Sequence, residues 1–246
     1  MLPNFRAARG VLRSLRLYHG HPARHRAMEK LYGQFIRSGE LAFDVGAHVG
    51  DRVRAFRRLG ARVIAVEPQP ALHRTLRALF GRDQAVTLVP SAVGRTAGTA
   101  TMMINVDNPT VSTLSTDFIA ASRGSPGWED QAWPQSLEVP VTTLDALIGE
   151  HGVPSFIKLD IEGFEAEALA GLSHRVTALS FEFTTIQRAV GMAAIERCVA
   201  LGYRRFSAAL GEGQELDAWR SAAEIADWLA TLPHRANSGD IYARCA

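Results

Sequence analysis

The feature that most constrains this chain is an alternation of short apolar runs with segments of helical periodicity. The runs 41–45, 62–66 and 86–89 are predicted strands, and the segments 51–59 and 71–80 between them are predicted helices. Repeated strand–helix units imply a mostly parallel sheet with helices on both faces. In such a sheet ligands bind beyond the carboxyl ends of the strands, where the strand order reverses.

The alternation resumes in the second half of the chain. Residues 155–160 and 178–183 are predicted strands, a helix begins at Phe164, a second covers 189–201, and 239–245 is predicted to be the last strand. The pattern therefore indicates one α/β domain with a single sheet.

A stretch of different character separates the two halves. Residues 98–106 are rich in β-forming side chains and are predicted to form half of a hairpin. Residues 107–135 carry several prolines and glycines and are predicted to be a long loop, which in a compact domain is commonly a functional lid. Trp128 and Trp133 of this loop could stack on a ring of a ligand, although tryptophan more commonly packs against its own domain.

Composition narrows the class of protein. The 246 residues are 47% hydrophobic and 21% charged, which is typical of a soluble globular chain with one sizeable core. There is no apolar run long enough for a transmembrane helix, and the arginine-rich beginning does not resemble a secretory signal. Cys198 and Cys245 have no metal-binding spacing, so we expect reduced thiols and a cytoplasmic location.

The positive charge of the chain is concentrated in its first 40 residues. Residues 1–40 contain eight basic and two acidic side chains, and their apolar residues recur at helical spacing. We predict helices here, the second over 23–36, and divide the chain into a basic helical extension, 1–40, and a main domain, 41–246. Because the main domain has an acidic surplus, it does not present a nucleic-acid surface.

The turn after the first predicted strand carries the strongest chemical signal. Gly46 and Gly50 permit a tight turn, and the helix that follows offers free N–H groups to an anion. Glu67 ends the second predicted strand, where a carboxylate can accept hydrogen bonds from both hydroxyls of a ribose. Together these features predict a cofactor that contains adenosine.

Two side chains near this turn discriminate between cofactors. His48 occupies the place of the second glycine of a dinucleotide-binding turn, and it would crowd a pyrophosphate. Asp44 would repel phosphates but suits the ammonium group of an amino acid. Both favour S-adenosylmethionine over a nicotinamide dinucleotide.

Charged residues at two later strand ends are candidates for catalysis. Lys158, Asp160 and Glu162 share one face while the chain is extended, and Glu182 is a lone charge in an apolar run. Asp160 and Glu182 could orient and deprotonate an acceptor hydroxyl, or hold a divalent metal, and the spacing does not decide between these roles. For Lys158 and Glu182, the alternative is a structural ion pair.

Several segments, in this order, resemble the FkbM-type methyltransferase family: DVGAHVGD at 44–51, VEP at 66–68, VPVTTLD at 139–145 and IKLDIEG at 157–163. The resemblance implies a class I, Rossmann-like fold with a mostly parallel seven-stranded sheet. It also implies S-adenosylmethionine-dependent methylation of a hydroxyl of a sugar, glycan or secondary metabolite. The alternatives are a nicotinamide-dependent oxidoreductase and a catalytically silent nucleoside-binding domain.

The resemblance also implies roles for individual residues. The predicted cofactor contacts are Gly46, Ala47, His48 and Gly50 at the methionyl part, Glu67 at the ribose, and Ser91 and Ala92 near the adenine. Asp44 and Pro68 are also predicted to be cofactor-binding residues. The predicted catalytic residues are Lys158, Asp160, Glu162 and Glu182. His48 departs from the asparagine that is usual in the family. The basic extension has three interpretations: a solvated helix face, a surface that steers an anionic acceptor, or a contact with an anionic membrane.

Overall fold

The computed structural model describes residues 5–245, so the first four residues of the predicted extension and the last residue of the predicted main domain lie outside it. Its helices are α1 (Phe5–His19), α2 (Pro22–Tyr32), α3 (Asp51–Arg58), α4 (Pro70–Phe80), α5 (Thr116–Ser122), α6 (Leu144–His151), α7 (Glu165–Ala170), α8 (Arg188–Ala200) and α9 (Ala222–Thr231). Its strands are β1 (Leu41–Val45), β2 (Arg62–Val66), β3 (Val86–Val89), β4 (Ala92–Val93), β5 (Gly98–Ile104), β6 (Gln135–Thr142), β7 (Phe156–Leu159), β8 (Ala178–Thr184), β9 (Arg205–Leu210) and β10 (Ser238–Arg244). In the described range, no helix is both long and apolar enough to cross a membrane.

Seven strands form the main sheet in the order β3-β2-β1-β7-β8-β10-β9. All neighbours are parallel except β10, which runs antiparallel to both β8 and β9. The strand order reverses between β1 and β7, because the chain moves outward from β1 to β3 and then returns to the other side of β1. This confirms the predicted α/β class and the mostly parallel seven-stranded sheet.

Both faces of the sheet are covered. One core contains Phe43 and Ile157 with side chains from α6 to α9, and the other contains Ala42 and Phe156 with side chains from α2, α3 and α4. Successive residues of β1 therefore point into opposite cores, as the pleat of a strand requires. Because α2 contributes Met28 to the second core, it packs as an integral part of the fold.

The stretch between the halves differs from the prediction. A 3₁₀ turn at Pro109–Val111 and the helix α5 interrupt the segment that we predicted to be one long loop. Ser115 is the N-cap of α5, because its hydroxyl accepts the N–H of Phe118. The first part of the predicted loop therefore ends at Ser115. The strand β5 pairs with β6 rather than with a close neighbour in sequence, and β4 joins them in a second, three-stranded sheet. The sequence analysis also missed β4, β6, β9, α6 and α9.

Candidate active site

A cavity of about 350 Å³ lies beyond the carboxyl ends of β1, β2, β7 and β8, at the reversal of strand order. Of the predicted site residues, Gly46, His48, Glu67, Pro68, Ser91, Ala92, Asp160, Glu162 and Glu182 line it. Asp44, Ala47, Gly50 and Lys158 do not line it and lie behind its wall. The cavity thus has one side on β1 to β3, which we call the cofactor half, and another on β7, β8 and β10, which we call the acidic half.

The turn after β1 brings two stretches of backbone unusually close together. Gly46 has a φ of +85°, and a Cβ placed on it would lie 1.9 Å from the carbonyl oxygen of Asp160. The N–H groups of Gly46 and Ala47 both donate to the carbonyl of Val66 at 3.0 Å. Only glycine fits at position 46, since both its dihedral and the approaching backbone exclude a side chain.

Gly50 serves a different purpose from Gly46. It precedes α3 with a φ of +80°, and a Cβ there would meet the ring of Phe80 at 2.4 Å. It therefore permits the close packing of α3 against α4, and its influence on a ligand is through the position of the turn.

Glu67 is held in place by the backbone. It accepts the N–H of His48 at 3.0 Å on one carboxylate oxygen and the N–H of Gln69 at 2.8 Å on the other. Burial raises the pKa of Glu67 to about 8, although both N–H groups oppose the shift. The result is a fixed carboxyl group in the wall of the cofactor half.

His48 adopts a backbone conformation that few side chains tolerate. Its φ is +50°, a region in which asparagine, aspartate and histidine are enriched. Burial lowers the pKa of His48 to about 4, so the ring is neutral. Its Nε2 lies 3.5 Å from the hydroxyl of Thr110, and the ring of Tyr18 meets it edge-on at a centroid distance of 5.4 Å. A neutral ring imposes no charge repulsion on a cationic ligand.

Asp44 lies beneath the turn and is fully buried. Neither of its carboxylate oxygens has a hydrogen-bond partner within residues 5–245. Burial raises the pKa of Asp44 to about 7, although the positive charges of Arg52 and Lys158 oppose this. Asp44 is therefore a buried carboxyl group that holds its proton up to about neutral pH, and it does not line the cavity.

The acidic half is organised around Asp160. Its Oδ2 lies 3.2 Å from Nζ of Lys158 and 3.1 Å from Nη2 of Arg52. Burial favours the neutral form, but these two cations lower the pKa of Asp160 to about 2. Asp160 is consequently a permanent anion and a weak base.

Lys158 is fully buried and belongs to an ion-pair network. Its Nζ donates to Asp240 at 2.7 Å as well as to Asp160. Burial opposes its charge, but the two carboxylates raise the pKa of Lys158. Its carboxylate partners are thus Asp160 and Asp240 rather than Glu182.

Three carboxyl groups meet in the acidic half. Single oxygens of Asp160, Glu162 and Glu182 all lie within 4.8 Å of one another. Burial and the neighbouring carboxylates raise the pKa values of Glu162 and Glu182, and Oε2 of Glu182 has no partner in the described chain. Such a group can take up a proton or hold a cation.

Sequence reasoning missed several residues of the cavity wall, among them Tyr18, Arg52, Gln69, Asn237 and Asp240. Arg52 could have been found, because it lies in the first turn of the helix that follows the glycine turn. The sequence around Asp240 contains no motif that would indicate a site residue, because only the antiparallel pairing of β10 with β8 places Asp240 opposite Glu182.

The two tryptophans of the predicted lid pack against the domain. Trp128 and Trp133 contact Phe118 edge-on, at 5.1 Å and 6.3 Å between ring centroids. The indole N–H of Trp128 donates to the side chain of Asn237 at 3.0 Å, and Asn237 lines the cavity. Neither tryptophan lines the cavity itself, so the stacking role that we considered is wrong and Trp128 supports a wall residue instead.

With this geometry in place, comparison with known proteins gives the class. The family model described as the methyltransferase FkbM domain matches residues 44–235. The chain belongs to the FkbM methyltransferase family. Its activity class is accordingly S-adenosylmethionine-dependent methyl transfer, and α1 and α2 precede the matched region. A search of curated proteins found no significant match.

Solved structures with a similar arrangement include three methyltransferases of low sequence identity. Precorrin-6y C5,15-methyltransferase from Geobacter metallireducens has 13% identity and a TM-score of 0.46, with 91% of this chain and 87% of that chain covered. Magnesium protoporphyrin IX methyltransferase from Synechocystis with bound SAM has 11% identity and a TM-score of 0.47, with 96% and 84% covered. A TehB-like methyltransferase from Corynebacterium glutamicum has 10% identity and a TM-score of 0.45, with 89% and 88% covered.

Proposed function

We propose that this FkbM-family protein transfers the methyl group of S-adenosylmethionine to a hydroxyl of a small-molecule or glycan acceptor, such as a sugar or a secondary metabolite. The observation that carries the proposal is the division of one cavity into a cofactor half, with a fixed glutamate, and an acidic half, with an unpartnered carboxylate oxygen. A methyl donor and an alcohol would meet at the boundary between the halves.

In the cofactor half, the proposed contacts follow the order of the strands. Glu67 would accept hydrogen bonds from the ribose hydroxyls, and Ser91 and Ala92, after β3, would lie against the adenine. The methionyl part would lie over the turn at Gly46. A cationic sulfonium and ammonium suit this site, because carboxyl groups outnumber basic groups in the wall.

The methionyl carboxylate needs a positive partner in this acidic surrounding. Arg52 lines the cavity from the first turn of α3, and its Nε is buried and without a partner in the described residues. We assign the carboxylate to Arg52 and the N-terminal end of α3, which favours anions.

In the acidic half, the carboxyl groups would take different roles. Asp160 is too weak a base to accept a hydroxyl proton, so it would orient the ligands. Glu182 and Glu162, whose pKa values are raised, are better matched to a proton that leaves during transfer. Because the sulfonium is already an activated donor, alignment of the alcohol would supply much of the rate.

The same three carboxyl groups are close enough to hold a divalent cation. A hard cation here would bind the acceptor oxygen and lower the pKa of the hydroxyl. Titration with Mn²⁺, followed by electron paramagnetic resonance, tests this role. Full activity after treatment with EDTA would show that the reaction needs no divalent cation, and the glutamates would then accept the proton without one.

Calorimetry with S-adenosylhomocysteine tests the cofactor assignment. We expect the wild type to bind it, Glu67→Gln to bind at least about tenfold more weakly because the amide offers only one oxygen to the two ribose hydroxyls, and NAD to give no heat. The exposed Glu215, outside the cavity, gives a matched control as Glu215→Gln. Binding of NAD in place of the sulfur nucleoside would overturn the proposal.

Transfer of a labelled methyl group to a panel of sugars and hydroxylated metabolites tests the chemistry. Glu182→Gln should lower turnover by about 10²-fold or more while S-adenosylhomocysteine still binds. Normal turnover in Glu182→Gln and Glu162→Gln would reject both as bases. Binding without transfer to any acceptor would indicate the silent nucleoside-binding alternative.

A further inference from the structure

The helix α1 has two faces of opposite character. Gly10, Ser14 and Tyr18 are buried along its inner face. A Cβ at Gly10 would lie 2.8 Å from the carbonyl oxygen of Val106, which shows how closely the helix lies on the segment before the 3₁₀ turn. Tyr18 also lines the cavity. The position of α1 is therefore fixed by packing, and its outer face is held beside the active site.

The outer face of α1 is a row of arginines. Arg9, Arg13 and Arg16 are exposed and lie three or four residues apart, so they project from the same side of the helix. Within residues 5–245, none of the three has an ion-pair partner, and α1 itself contains no acidic residue. The exposed Leu12 and Leu17, 48% and 52% accessible, flank the row.

An anionic lipid surface fits this face better than a nucleic acid does. Arginines with exposed leucines beside them match the boundary between phosphate headgroups and acyl chains. The cavity that α1 borders is lined by Asp160, Glu162 and Glu182, which would repel the phosphates of a polynucleotide strand entering it. A bilayer places its charges in one plane and leaves the cavity free.

We propose that the outer face of α1, formed by Arg9, Leu12, Arg13, Arg16 and Leu17, docks on anionic lipid. Headgroup phosphates pair with the three arginines, and the two leucines reach the interfacial region. The same helix would then connect the membrane surface to the active-site wall through Tyr18. This inference stands on the helix surface alone and does not depend on the proposed reaction.

Co-sedimentation of the full chain with vesicles tests the proposal. We expect binding to phosphatidylcholine mixed with phosphatidylglycerol, little binding to phosphatidylcholine alone, and weaker binding at high salt. The triple variant Arg9→Gln, Arg13→Gln, Arg16→Gln should lose at least about tenfold in affinity. The triple variant Arg175→Gln, Arg204→Gln, Arg205→Gln removes the same charge from exposed residues near the opposite edge of the sheet and should bind as the wild type does.

Three outcomes would overturn the proposal. They are absence of binding to the acidic vesicles, equal losses in the two triple variants, and tighter binding to a single-stranded oligonucleotide than to the vesicles. Binding of S-adenosylhomocysteine by each variant, measured alongside, shows that the fold is intact. Loss of vesicle binding with this nucleoside affinity retained supports a docking surface that is separate from the cofactor site.

Discussion

The two halves of the cavity hold their polar groups by different means. In the cofactor half, Glu67 is held by backbone N–H groups, that of Gln69 on its own turn and that of His48 on the turn after the neighbouring strand β1. In the acidic half, Asp160 is held by side-chain cations, and Asp240 joins the network from the opposite end of the chain. The position of Glu67 therefore depends on the path of the main chain around it, whereas the ion-pair network depends on side chains that the assembled sheet brings together.

The difference has an energetic side. Backbone hydrogen bonds to a carboxylate need no partner charge, so the cofactor half depends mainly on the path of the main chain. Buried ion pairs cost desolvation, and removal of one partner leaves an uncompensated charge. We therefore expect a side chain that obstructs the main chain to disrupt the cofactor half, and removal of a single charge to disrupt the acidic half.

The largest effect should follow obstruction of the backbone at Gly46. Gly46→Ala places a methyl group 1.9 Å from the main-chain oxygen of Asp160, which cannot move without separating β1 from β7. We expect loss of S-adenosylhomocysteine binding and a drop of at least about 3 kcal/mol in the free energy of unfolding, measured by urea denaturation.

A control separates the clash from the strained dihedral. Gly124 has a φ of +72°, and nothing lies within 4 Å of a Cβ built there. Gly124→Ala should cost only about 1 kcal/mol and leave nucleoside binding unchanged. Equal losses in the two variants would show that the close approach of the two strands is unimportant.

Removal of one charge should break the acidic half. Lys158→Met keeps the volume of the side chain but leaves Asp160 and Asp240 facing each other without their shared cation. We expect a loss of about 3 to 5 kcal/mol in the free energy of unfolding. Lys158→Met combined with Asp240→Asn should recover part of it, and failure to recover any would contradict a coupled network.

The pH dependence of stability tests the burial of Asp44 beneath the glycine turn. Asp44 has a pKa of about 7 in the folded protein and 3.8 as its reference value, so the folded state binds its proton more tightly. Its contribution to stability should therefore be lost as the pH rises from about 4 to 7. Asp44→Asn should reduce this decline by about 2 to 4 kcal/mol in denaturation curves between pH 5 and pH 8.

Here the exposed Asp227 provides a comparison. Asp227→Asn makes the same chemical change at an exposed position and is the matched control for the substitution itself. A profile of Asp44→Asn that parallels the wild type would mean that Asp44 is charged or neutral in both states alike.

The smallest expected effect concerns the residue that connects the halves. Arg52 contacts Asp160 in the acidic half and is our assigned partner of the methionyl carboxylate. Arg52→Gln should weaken S-adenosylhomocysteine about tenfold, or about 1.4 kcal/mol, and leave 5′-methylthioadenosine, which lacks the amino-acid part, unchanged in calorimetry. Arg54→Gln, two residues further along α3, is the control. Equal weakening of both nucleosides would give Arg52 a structural role only.

Much of the cofactor half was predictable because its signals are local. The strands β1, β2 and β3 match the apolar runs of the sequence closely, and the glycine turn and Glu67 each lie at a strand end. The helix α2 was predicted to reach residue 36 but ends at Tyr32, since helical periodicity does not mark its own end at Gly33. The pairing of β5 with β6 was not predictable, because thirty residues separate them.

The sequence by itself determined the α/β class, the place of the glycine turn and the family. The reason is that the hydrophobic periodicity of strands and helices, and short motifs, depend only on residues that are close together in the chain. Only the tertiary structure decided which charges pair and which side chains share the cavity. Lys158 found Asp240 and not Glu182, and Tyr18 of the extension reached the wall beside His48. The physical reason is that ion pairs and cavity walls depend on distances in space, and the sheet order sets those distances independently of separation along the chain.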